Sequence, residues 1–596
     1  MQPNPQQPDT KNFIIAIVSA LMILFLYQTF WAGPQEKLRQ QQLAQQQSAA
    51  VQKAKAPQDN ATQTNMGAIV PRDKAIGLSV RNKIDNPLLS GSVSSFGARL
   101  DDLNLKAYKE EVNKPQTVTL LNPQGSKDGY FAFFGYTSTD NAPNLPGPNT
   151  IWKLVSGNVL AQNAPLVYEY DNGAGLKFTR KIEVDGEYLF TYNDTITNTG
   201  AAPVNLQEYG AIRRYSKPKG PESSANHEGP VGIINNTLNR LKYRDMEKGK
   251  SMSENSKGGW LGFADKYWLV ALIPDQNQNI AASYKAVPID NGNMFETSFV
   301  GPQTTIGVGQ SISNSERVYA GSKKVSELRT YEAKYNIPKF DNAIDWGILW
   351  FLSKPFYWLL MFFNTQIGNI GLAILALTVV VKIATFPLVY QSYKSFAKMR
   401  ELTPKMTEIK EKFKDDAARQ QQETLKLYQT EKINPVAGCV PMLLTMPIFL
   451  ALFKILSITL ELRHAPFFGW VPDLSEKDPT SFINLFGLLP FDPHIIPLIG
   501  GMGIGIWPIL YGASMWLMQK MQPTAPTTDP MQTQIFALMP WFFAFIFGGF
   551  ASGLVIYYTW SNLLTIVQQY IIAKQTGSPT VFDDWFKKQE AKKVVK

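Results

Sequence analysis

Read only for apolar and polar positions, the chain falls into three textures. Residues 12–31, NFIIAIVSALMILFLYQTFW, form an apolar run of the roughly 20 residues needed to cross a bilayer core. The run is longer than a signal-peptide core and no small-x-small cleavage pattern follows, so segment 1–33 is expected to be an uncleaved anchor. A glutamine- and alanine-rich tether, 34–66, has no apolar period. From 67 to 337 short alternating runs are broken by Asn-Gly and Asp-Gly, as in LVYEYDNGAGLKFTRKIEVDGEYLFTYNDTITNTG. Period-two alternation with such turns predicts antiparallel strands. Their repetition, with Trp152, Trp260 and Trp268 to pack, predicts one large all-β sandwich.

Beyond 337 the texture is helical. Segment 338–365 is rich in Trp and Phe and is interrupted by Lys354-Pro355, which suits a helix lying in the membrane interface. Next comes 368–390, GNIGLAILALTVVVKIATFPLVY, a spanning sequence with Lys382 inside it. A lysine there costs a few kcal/mol. Thr378 and Thr385 share its face at helical spacing, so the three predict a polar stripe turned toward protein or water. A snorkelling lysine is the other reading; the depth and the threonines favour a hydrophilic cavity. Two further apolar runs, about 434–457 and 497–519, and a closely spaced pair, 534–547 and 554–573, complete the core 366–573. In 497–519, the third span after that of Lys382 and 434–457, Gly501 and Gly505 form a small-xxx-small face. The fold class expected is therefore a multi-domain membrane protein: an all-β sandwich plus an α-helical core of five spans and an N-terminal anchor.

Charge orients this arrangement. The net charge is +10, and 392–432 holds ten lysines and arginines against seven acids. Such a basic loop stays cytoplasmic, which puts the β domain outside and both termini inside. Within the loop Thr403 caps and Pro404 opens a helix, with Met399, Leu402, Met406, Ile409 and Phe413 at three-four spacing. Ala418, Leu425 and Tyr428 face back from a second helix, which predicts an antiparallel hairpin, either a solvated spacer or a working element. The tail 574–596 ends in a basic stretch, 587–596; its charge and the loop's suit anionic lipid or an RNA-rich partner.

Catalytic chemistry finds little support. Cys439 is the one cysteine, so no intrachain disulfide staples the exported region. The β domain has one histidine, His227, expected on a surface loop, too little for sugar isomerisation of the acid-base kind. Gly249-Lys250-Ser251 ends like a phosphate loop, but Arg244 stands where its first glycine is required. No cofactor or metal is implied. A small-anion transporter with an extracytoplasmic receptor domain is the alternative, against which stands the lack of a convincing internal repeat.

Four stretches in order carry a more specific signal: SFAKMRELTPKMTEIKEKF (395–413), LYQTEKINPVAGCVPMLLTMPIFLALFKIL (427–456), TDPMQ (528–532) and SGLVIYYTWSNLLTIVQQY (552–570). Together they closely resemble the YidC-type membrane protein insertases of bacteria, in the branch with a large periplasmic domain. The resemblance implies a groove open to cytoplasm and lipid but closed outward, through which nascent membrane proteins enter the inner membrane, alone or with the Sec translocon. Its single positive charge is usually arginine; Lys382 holds that position here and keeps the charge without the bidentate fork. Thr378, Phe449 and Tyr558 fall on groove or substrate-contact positions, and Tyr511 less directly; Thr385, Tyr557 and Asn562 join them on the residues' own pattern. The resemblance also implies that the hairpin 392–432 receives substrate, that ribosomes contact the basic loop and tail, and that neither nucleotide hydrolysis nor DNA is involved.

Overall fold

The computed structural model describes residues 69–577 apart from 113, 219–225, 290–291, 415, 432–439, 490, 492–503 and 522–529, together with 582–583. The expected anchor, tether and basic tail, Cys439, Gly501 and the start of TDPMQ lie outside the described residues. The chain divides into a β-rich unit running to Asp345 and a helical unit beginning at Trp346.

Alternation builds the first unit. Along the strand Leu176–Val184 every second side chain is buried, and Leu189–Asn198 follows the same rhythm. The two pair antiparallel across Asp185-Gly186, where the Asp185 carboxylate accepts from the Glu187 and Leu189 N–H groups at 2.9 and 3.1 Å. Asn172 does the same before Leu176, accepting from Ala174 and Leu176, both at 2.9 Å. These are side-chain mimics of a backbone turn. Two sheets result, of ten and nine strands, antiparallel except where Arg81–Asp85 runs parallel to Val159–Leu160. They face one another: Tyr136 of one donates to Asp194 of the other at 2.9 Å, and the Phe134 and Tyr192 rings lie 4.9 Å apart. Three helices, α1 (Arg72–Ile76), α2 (Tyr243–Glu247) and α3 (Val325–Tyr335), accompany the strands.

The tryptophans expected to pack divide unequally. Trp260 is fully buried and donates to the Pro338 carbonyl at 3.1 Å. Trp152 is buried under the Arg180 guanidinium, 4.6 Å above its ring, whereas Trp268 is half-buried against Tyr108. His227 is not on a surface loop. It is buried, its Nε2 lies 2.9 Å from the Pro230 carbonyl oxygen, and its N–H donates to Asp345 at 3.1 Å. Polar neighbours in sequence concealed a backbone return that folds the ring inward. Burial, then the Arg240 charge, push its imidazole down to about 4.

The second unit contains α4 (Trp350–Ile367), α5 (Ile370–Glu401), α6 (Thr403–Lys412), α7 (Ala417–Thr430), α8 (Val440–Ile458), α9 (Ile506–Met521), α10 (Pro530–Phe547) and α11 (Ser552–Thr576). Lys354-Pro355 does not break α4, which runs unbroken through Pro355. Ser353, Tyr357 and Leu360 form its buried stripe, while Trp350, Phe351, Trp358 and Phe362 stay exposed. Among the described residues one helix, Ile370–Lys394, is long and apolar enough to cross a membrane. Of the expected span from 497, residues 497–503 lie outside the described residues, and α9 starts at Ile506. Its first turn is capped by Asp478, whose carboxylate accepts from the Trp507 N–H at 2.8 Å, and by Thr480, whose Oγ1 accepts from the Ile506 N–H at 2.9 Å.

Gly505 therefore does not serve a helix-helix face: a Cβ on it would meet the Asp478 carboxyl at 2.5 Å. The close helix approach is at Gly512, where a Cβ would lie 2.9 Å from that of Ala544 on α10. The hairpin begins later than expected. The helix α5 continues through Glu401, so Met399 belongs to it, and Thr403 lies inside α6 with Leu402 in the cap position. Leu402 and Met406 are buried, Ile409 and Phe413 half-buried. Tyr428 of α7 donates to Met406 Sδ at 3.5 Å, but Leu425 is exposed.

Candidate functional site

Helix α11 organises the site. Its residues 558, 562, 565 and 569 fall four, three and four apart, one stripe along a helix. Tyr558 and Gln569 are buried on that stripe, and Asn562 and Thr565 are half-buried. Neighbours on both sides answer the stripe. Asn562 donates to Ser514 of α9 at 3.1 Å. Lys382 of α5 reaches across to donate its Nζ proton to Thr565 Oγ1 at 2.6 Å, and Thr565 passes its own proton to the Ser561 carbonyl at 2.8 Å. One step further, Gln569 donates to the Tyr393 hydroxyl, while Gln568 donates to the Lys382 carbonyl at 3.0 Å. The seam thus runs polar for three turns of α11.

Lys382 is held by a threonine from another helix and not by those on its own. Thr378 is buried but donates to the Ile374 carbonyl at 2.6 Å, and Thr385 to the Val381 carbonyl at 2.9 Å. Such back-bonding satisfies a hydroxyl within its own helix. Thr378 and Thr385 share the lysine's helix and line it with polar atoms, and Thr385 Oγ1 also lies 3.3 Å from the Lys382 carbonyl oxygen, but neither hydroxyl bonds the Lys382 ammonium. Thr565 was overlooked among the tyrosines and amides of α11. The spacing from Tyr558 through Asn562 to Gln569 was the available signal, since of the two positions that complete it, 565 and 566, Thr565 is the polar one.

Toward the start of α11 the stripe becomes aromatic. Phe449 of α8 stacks on Tyr558 with ring centroids 4.5 Å apart, and Tyr511 of α9 stacks on Phe547 at 4.3 Å. Phe547 meets Tyr558 edge-on at 5.3 Å, and Tyr557 meets it at 4.7 Å. Phe449, Tyr511, Tyr557 and Tyr558, all candidates from sequence, are therefore brought together in one cluster. The Tyr558 hydroxyl is buried within it and has no hydrogen-bond partner among the described residues, a costly state for a polar group. Beyond the cluster, Ser552 donates to the Glu476 carbonyl and Gly553 to the Leu474 carbonyl, at 2.6 and 2.9 Å, so a loop covers the N-terminus of α11.

The site offers one cation, hydroxyls and amides, with an aromatic layer at one end. Among the described residues no group of three His, Cys, Asp or Glu side chains could hold a metal. Two family models match the chain, the YidC periplasmic domain over 81–359 and the 60Kd inner membrane protein over 362–578. The membrane protein insertase YidC of Caulobacter vibrioides (strain NA1000 / CB15N) is 44% identical over 598 residues, covering 96% of each chain. This chain belongs to the YidC family. Within it, the insertase of Maricaulis maris is 43% identical over 578 residues, covering 96% of this chain and 97% of its own. That of Brucella melitensis biotype 1 is 42% identical over 595 residues, covering 96% of both. A crystal structure of an active YidC insertase aligns over 87% of this chain and 99% of its own, at 16% identity and a TM-score of 0.34. The two matched YidC regions follow the architecture, a β-rich domain of two sheets followed by a helical region.

Proposed function

We propose that this protein inserts nascent membrane proteins into the bacterial inner membrane from the cytoplasmic side, without covalent chemistry or nucleotide hydrolysis. Helices α5, α8, α9, α10 and α11 are the five spans in this reading, following an N-terminal anchor, with both termini cytoplasmic and the β domain periplasmic. The observation that carries it is the α5–α11 seam, in which Lys382 sits inside a helix long and apolar enough to cross a membrane and bonds Thr565 of α11. Relatives of 42–44% identity along nearly the whole chain are named membrane protein insertases.

The physical account follows from cost. A polar or acidic segment entering hydrocarbon loses hydration worth several kcal/mol. The lysine, Thr565, Asn562 and the amides of Gln568 and Gln569 replace part of that hydration. A lysine in place of the family's usual arginine attracts a carboxylate as a point charge and does not clamp it. The aromatic cluster around Tyr558 closes the polar seam at its outer end, so the segment shortens its path without opening a leak. The apolar helix that follows then passes along α5 and α11 into lipid, driven by burial of its own side chains. The hairpin α6–α7 receives the emerging chain, and the basic loop and tail contact the ribosome and anionic lipid. Cooperation with the Sec translocon belongs to the same reading.

Photo-crosslinking tests it. With a crosslinking side chain at Asn562, Phe449 or, as control, the exposed Leu538 of α10, ribosome-bound nascent membrane proteins should crosslink to the first two and weakly to the third. Equal crosslinking at all three positions, or at Leu538 alone, would remove the seam from the path.

A further inference from the structure

We propose that residues 482–489, with Phe491, form a lipid-binding element seated in the outer-leaflet interface beside α9; this rests on reading α8 and α9 as spans. The segment preceding it is fastened to helix ends. Asp478 and Thr480 hold the first N–H groups of α9, the Glu476 carbonyl holds Ser552 of α11 at 2.6 Å, and the Phe482 N–H donates to the Ile504 carbonyl at 3.1 Å. The loop thus leaves the bundle level with the outer ends of two spans.

From there its chemistry is inverted relative to a loop in water. The sequence SFINLFGLLPF, 481–491, contains no charged residue. Phe482, Leu485, Phe486, Leu488, Leu489 and Phe491 are all at least 40% exposed, Leu488 reaching 83%. Backbone groups turn inward instead: Phe486 N–H donates to the Ser481 carbonyl at 2.7 Å, Leu489 N–H to the Asn484 carbonyl at 3.0 Å, and the Asn484 side chain bonds Gly487 N–H and the Phe491 carbonyl. Satisfying backbone polar groups internally is the requirement of an apolar solvent. Leu485 and Phe486 are both left-handed, φ +50° and +59°, a conformation that bulky side chains rarely adopt. Such strain persists where the surroundings gain from it; here it turns two apolar side chains outward together. Aromatic and aliphatic side chains on a fastened, uncharged loop at this height match the headgroup–acyl boundary. A protein partner would more commonly be met by a polar rim around the apolar patch, and 481–491 carries no charged side chain toward one.

The test uses the full chain in proteoliposomes. Cys439→Ser, confirmed to retain insertion activity, provides a cysteine-free parent, and an environment-sensitive fluorophore is attached at Leu488→Cys, Lys477→Cys or Leu538→Cys. The proposal expects the 488 probe to be quenched by lipids labelled near the headgroup and shielded from aqueous iodide. The 477 probe should respond to iodide, and the 538 probe to lipids labelled deep in the acyl chain. If the 488 probe matches the 477 probe while 538 reports lipid, the loop proposal falls and the membrane reading stands. A 488 probe shielded from both quenchers means protein covers the loop, which also overturns it. If 538 reports no lipid, the membrane reading itself fails.

Discussion

A lysine in a membrane helix is tolerated where something other than lipid answers it, and here the answer is one hydroxyl. Thr565 is therefore the residue whose loss is most informative after Lys382 itself. Replacing it with Val keeps the shape and removes the acceptor, leaving a half-buried ammonium unpaired at a cost of about 1–3 kcal/mol. Thr565→Val is expected to lower insertion severalfold and Thr565→Ser to restore most of it, measured by protease protection of an inserted substrate. Equal activity in both would mean that Lys382 does not depend on this contact. Thr565 shows where sequence reading stopped. The spacing of α11 could place it on the polar stripe, but its partner lies 183 positions away in the chain, and no local pattern announces such a pairing. Tyr558 was legible because tyrosine pairs in an apolar helix are conspicuous; that its hydroxyl has no partner among the described residues was not.

Elements were legible to the degree that hydropathy marks them. The tight turn between α10 and α11 and the alternating strands with their Asn-Gly and Asp-Gly turns stand where periodicity predicts. The continuation of α5 through Glu401 was hidden, because a polar helix and a polar loop look alike without an apolar face. The capped start of α9 was hidden for a different reason: its cap, Asp478, comes from 28 residues before Ile506. Asp478→Ala should cost about 1 kcal/mol or more, as helix caps do, and lower the unfolding temperature of the detergent-solubilised protein; an unchanged value would dismiss the cap. At the α9–α10 crossing, Gly512→Ala forces its new methyl against Ala544. Overpacking of this kind costs about 1–3 kcal/mol, and Ala544→Gly in the same chain should recover part of the loss. Failure of that rescue would place the strain elsewhere.

At the scale of the whole molecule, the two units answer to different physics. The β unit buries Glu208 and Glu316 between its sheets. Burial, then the neighbouring Asp194 carboxylate, push Glu208 up to about 8; burial, then Glu208, raise Glu316. The unfolded chain releases those protons near 4.5, so stability should fall as pH rises from about 4.5 toward about 8. His227 acts at the other flank: folded near 4 and unfolded near 6.5, it contributes stability that is lost as pH falls through that window. Between pH 6.5 and 8 only the carboxylates of these three still titrate. The calorimetric transition of the β unit should therefore drop across that range, and Glu208→Gln should flatten the drop; an identical drop in both proteins would contradict the assignment. The helical unit answers instead to the cost of charge in lipid. The most direct test of that is insertion of a short, acid-tailed membrane protein into liposomes holding wild-type, Lys382→Arg, Lys382→Ala or Lys382→Glu protein without nucleotide. Insertion by wild type and Lys382→Arg, with loss in the folded Ala and Glu variants, is the predicted result; equal insertion by all four would contradict a charged groove.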